Sequence, residues 1–144
     1  IDDKIKKEKK LKTQFVLPCV VSQQKTESAI VNRGHTSLEP LIEITSVSGA
    51  ACPDGIIIQN PQSGKTIKLN TDVSAEEVIC VDVENRKITS NLRGNILKCI
   101  DEESSISDFA YEPGVGTLRI YADNLTGTIS ATARFYNRYL CAGV

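Results

Sequence analysis

Apolar and polar residues alternate along this chain with a period of two, and the pattern is clearest between Ser63 and Ile88. In Val78-Ile79-Cys80-Val81-Asp82-Val83, the residues Ile79, Val81 and Val83 fall on one face of a strand and Val78, Cys80 and Asp82 on the other. The first face is wholly apolar and has to be covered by a second layer. Glu84-Asn85-Arg86-Lys87 turns the chain, with Asn85 the residue best suited to a left-handed backbone, and Ile88 resumes the pattern. This stretch predicts a β-hairpin inside a layered all-β domain.

The same period extends to both sides. Gln14 to Val21 predicts an entry strand, and Pro18, which has no N–H to give to a ladder, assigns it to an edge or a strand end. Ser28 to Val31 leads into a turn at Asn32-Arg33-Gly34-His35, and Leu41 to Thr45 places Ile42 and Ile44 inside and Glu43 outside. Ile56 to Gln59 and Lys65 to Leu69 flank the turn Asn60-Pro61-Gln62-Ser63-Gly64. Thr117 to Ala122 sets Leu118, Ile120 and Ala122 against Thr117, Arg119 and Tyr121. Thr128 to Tyr139 turns Ile129, Ala131, Ala133 and Phe135 inward and Thr128, Ser130, Thr132, Arg134, Tyr136 and Arg138 outward. Only Ile96 to Glu103 reads as a turn or two of helix. The sum is about nine or ten short strands with at most one short helix, an antiparallel β-sandwich or jelly roll. Residues 28–144 form this domain, and residues 1–27 are expected to be a linker or entry strand.

Length and charge narrow the function. The chain has 144 residues, a size suited to one domain with a real core, and a net charge of −1. No global field attracts nucleic acid or an anionic membrane. Six of the seventeen basic residues lie between Asp2 and Lys12, but without Arg or an interleaved aromatic residue, so the run is expected to be a solvated linker or incoming edge strand rather than a nucleic-acid arm. No window approaches the roughly 18 apolar residues of a membrane helix. The start at Ile1, without Met, suggests a piece of a longer or processed chain. Cys19, Cys52, Cys80, Cys99 and Cys141 are widely spaced with a single His, which predicts free thiols rather than a zinc site, with Cys80 a small buried hydrophobe.

The candidate chemistry is sparse. His35 is the only imidazole, yet no nucleophile motif surrounds it. Gly64-Lys65-Thr66 ends like a phosphate-binding loop, but Gln59 stands where the first Gly is needed and a strand pattern follows where a helix is needed. Asp101-Glu102-Glu103 lacks the alternate ligand spacing of a calcium loop, and Glu76-Glu77 is read, like it, as a solvated acidic pair. No catalytic, metal or cofactor residue is expected, and the domain is expected not to be an enzyme. Arg134, Tyr136 and Arg138, sharing one outward face, are the candidate contact surface, since Arg and Tyr favour interfaces.

An ordered set of these signals carries a family resemblance. Asn32-Arg33-Gly34, Pro40 before Ile42-Glu43-Ile44, Ile58-Gln59-Asn60, Ser63-Gly64-Lys65-Thr66-Ile67, Val81-Asp82-Val83-Glu84-Asn85-Arg86, Gly94-Asn95, Glu112-Pro113-Gly114 and Arg138-Tyr139-Leu140 together resemble the C-terminal half of the distal tail protein of long, non-contractile phage tails. The resemblance implies a galectin-like β-sandwich attached to a ring-forming N-terminal half, with six copies forming a baseplate hub. Tail tube, tail-associated lysin and receptor-binding proteins are its implied partners, the virion tail tip its location and the host cytoplasm its place of assembly. The chain departs from the family pattern at Glu76, where Gly often precedes the acid, at Gly116, where Asn is expected, and in having no Trp. The alternative from another class is a carbohydrate-binding module for a cell-surface glycan, with Tyr111, Tyr121 and Tyr136 as platforms for the sugar.

Overall fold

The computed structural model describes residues 12–23 and 26–138. Twelve strands follow in chain order: β1 (Lys12–Val21), β2 (Thr26–Asn32), β3 (Leu41–Thr45), β4 (Ala50–Ala51), β5 (Ile56–Asn60), β6 (Lys65–Leu69), β7 (Val78–Asp82), β8 (Lys87–Ser90), β9 (Gly94–Asn95), β10 (Gly114–Tyr121), β11 (Thr126–Gly127) and β12 (Ile129–Arg138). Three of them, β4, β9 and β11, have two residues each, which leaves nine of the length the alternation predicts. The expected helix is a single 3-10 turn, Leu97–Cys99.

All pairings between strands are antiparallel. A six-stranded sheet has the order β1-β12-β3-β7-β8-β9, a four-stranded sheet the order β2-β10-β5-β6, and β11 pairs with β4. The inner faces of the two large sheets form one core. Ile42, Ile44, Ile79, Val81, Ile88, Ala131, Ala133 and Phe135 from the first meet Ile30, Ile56, Ile58, Ile67, Leu69, Leu118 and Ile120 from the second, all at most 1% exposed. The fold is an all-β antiparallel sandwich, with Phe109 and Phe135 its largest fully buried side chains.

The alternation at β7 holds, with Ile79 and Val81 buried and Val78, Cys80 and Asp82 only partly so. Cys80 is thus not a core residue: it lies half-buried on the outer face, opposite Glu43 and Thr89, and burial, then Glu43 and Asp82, push its thiol up. In the following turn the left-handed residue is Arg86, φ 55°, rather than Asn85. Asn85 is held instead by Asp82, whose carboxylate accepts its backbone N–H at 3.1 Å and its side-chain amide at 2.8 Å.

The cross-strand register defines one end of the sandwich. Val16, Arg134, Leu41, Asp82 and Lys87 stand in one row across five strands. Beyond that row β12 continues from Phe135 to Arg138 and pairs with Lys12 to Phe15 of β1 alone, as a two-stranded ribbon. Pro18 sits on β1, an edge strand, where its missing donor costs least.

Candidate interaction surface

Two buried asparagines build the surface at this end. Asn32, at the end of β2, donates its amide to the carbonyls of Tyr111 (2.8 Å) and Thr36 (2.9 Å), and its carbonyl accepts the N–H of Gly34. Asn60, at the end of β5, donates to the carbonyl of Ala110 at 2.8 Å. Both are at most 3% exposed. Two amides from one sheet thereby hold successive carbonyls of the segment entering β10, and Gln62 holds its far side by accepting the Thr117 N–H at 2.8 Å. Buried backbone groups need such partners; Tyr111 exchanges backbone hydrogen bonds with Leu38 in both directions, and the side chains add to that single bridge.

Tyr111 locks the same segment from below. Its ring meets Phe109 and Phe135 edge-on, at centroid distances of 6.1 and 5.8 Å, and its hydroxyl donates to the Thr117 carbonyl at 2.9 Å. Burial holds its hydroxyl well above the usual tyrosine range. Gly116 lies so close to the ring that an added Cβ would stand 2.8 Å from Tyr111 Cδ1. The departure from Asn at this position therefore accompanies an aromatic ring that leaves no room for a side chain.

A second polar centre lies before β7. Glu77 is buried, not a solvated partner of Glu76, and this corrects the sequence expectation. Its carboxylate accepts the Ser74 N–H at 3.0 Å, the Ser90 hydroxyl, and Arg93 Nε at 2.7 Å. Ser90 Oγ in turn accepts the N–H groups of Leu92 and Arg93, so the turn after β8 is tied to the start of β7. Burial alone would raise the Glu77 pKa, but the three donors more than offset it and hold the carboxyl below the ordinary glutamate value. Glu76 has φ 63°, a left-handed backbone that Gly adopts without strain, which gives the physical reason for Gly in the family pattern.

The predicted contact residues come out unevenly. Arg134 lies on the outer face of the six-stranded sheet and donates Nε to Glu43 Oε1, so its charge is matched within the sheet. The side chains of Tyr136 and Arg138 lie outside what is described; their backbones belong to the ribbon. Tyr111 and Tyr121 are not outward platforms, being 3% and 7% exposed. Tyr121 follows the core at the end of β10, where strand alternation ceases to separate the faces. Lys65 and Thr66 open strand β6 as the alternation requires, and His35 is exposed in its turn. Among the described residues no group of three or more His, Cys, Asp or Glu is placed to hold a metal ion.

The surface that sequence reasoning missed is a cleft of about 470 Å³ at the Arg134 end, walled by the segment the asparagines hold. Glu39, Asp108 and Glu112 line it together with Gln62, Arg86 and Val115. The three carboxylates and Arg86 are all exposed, and none has an ion-pair partner among the described residues. Four loops contribute, so no local pattern could have announced it.

The crystal structure of the SPP1 Dit protein (gp 19.1), described as a paradigm of the hub adsorption apparatus in phages infecting Gram-positive bacteria, has a similar fold, with a TM-score of 0.60 at 18% sequence identity. The match covers 87% of this chain and 47% of that one, so the chain spans about half the length of the SPP1 protein. No curated protein sequence matches the chain. Residues 33–139 match the family model for the C-terminal domain of the siphovirus-type tail component, and the chain belongs to that family.

Proposed function

We propose that this domain is a structural part of a phage or prophage tail tip, a β-sandwich of the baseplate hub that works through protein–protein contacts and performs no catalysis. The observation that carries this proposal is the family match over residues 33–139, and the likeness in fold to the SPP1 hub protein supports it. The locked loop at the Arg134 end suits such a role, because a surface already held by Asn32, Asn60, Gln62 and Tyr111 loses little conformational freedom on binding. In this proposal the partners are the tail tube, the tail-associated lysin and receptor-binding proteins. The full-length protein forms a six-copy ring, assembled in the host cytoplasm and carried at the virion tail tip.

The carbohydrate-binding alternative is not favoured by any feature described above. Phe109, Tyr111, Tyr121 and Phe135 are all buried, which removes two of the three platforms that reading relied on. The test is electron microscopy of phage particles labelled with an antibody against this domain. Gold at the distal end of the tail is the expected result; label on capsids, along the shaft, or absent from particles would reject the tail-tip role.

A further inference from the structure

We draw no further inference here: the strongest candidate, the cleft at the Arg134 end lined by Glu39, Asp108 and Glu112, is a cluster of acidic side chains, and nothing in the structure shows what fills it.

Discussion

Replacing Glu77 by Gln keeps the side chain's shape and removes its charge, so it isolates what the buried carboxylate contributes. In the native protein one side-chain carboxylate, 1% exposed, accepts from Ser74, Ser90 and Arg93. An amide at this position still accepts from one side, but it turns an NH2 toward the other, where Ser90 Oγ already accepts two backbone N–H groups. Hydrogen bonds to a charged group contribute about 1.5–3 kcal/mol each. The Arg93 side chain is 39% exposed, so water offsets part of the loss, and about 2 kcal/mol is the expected destabilisation. The pH dependence gives an independent sign. Because the folded carboxyl lies below its ordinary value of 4.5, the stabilisation is fully present above that value and disappears as pH falls through the lower folded pKa. Urea unfolding followed by far-UV circular dichroism measures it. The difference between wild type and Glu77→Gln should be constant from neutral pH down to about pH 5 and shrink below that. A difference under about 0.5 kcal/mol at neutral pH, or one that grows in acid, would refute the reasoning.

Other perturbations probe different parts of the fold. Gly116→Ala sets a methyl group against the Tyr111 ring and should destabilise by about 1–3 kcal/mol in the same assay, whereas a silent substitution would mean that the ring moves freely. Glu76→Gly relieves a left-handed backbone and should stabilise by about 0.5–1 kcal/mol after the entropy of Gly is counted; a loss of stability would show that the Glu76 side chain matters. Cys52 is buried and, with Asp72 adding to burial, its thiol is pushed up to about 11, so alkylation read by mass spectrometry should leave it unmodified in the folded protein at mildly alkaline pH. Equal labelling of folded and urea-unfolded protein at Cys52 would contradict that burial.

The strand faces were legible because period-two alternation is a local signal. Ile79, Val81, Ile129, Ala131, Ala133 and Phe135 all fall inside as their spacing requires. What the sequence left hidden depends on distant chain segments. Glu77 looks like any loop acid until Arg93, sixteen residues on, is folded against it. Asn32 and Asn60 read as turn residues, yet their amides reach carbonyls 79 and 50 residues away. Tyr111 stands outside a regular strand, so no alternation could tell a buried ring from an exposed one. The cleft has no sequence signature at all, since Glu39 meets Asp108 and Glu112 only when loops some seventy residues apart share one end of the sandwich.

The ribbon formed by β1 and β12 also governs how the domain answers to force. Lys12 and Arg138 are register partners at its tip, and the ladder runs antiparallel from there to Val21 and Ile129. Tension applied across that tip loads the pairs one after another, as a zipper opens, instead of straining all of them together in shear. Separating these two points therefore peels β1 from the sheet before the rest of the core is stressed. A pull that moves the two together leaves the ladder unloaded.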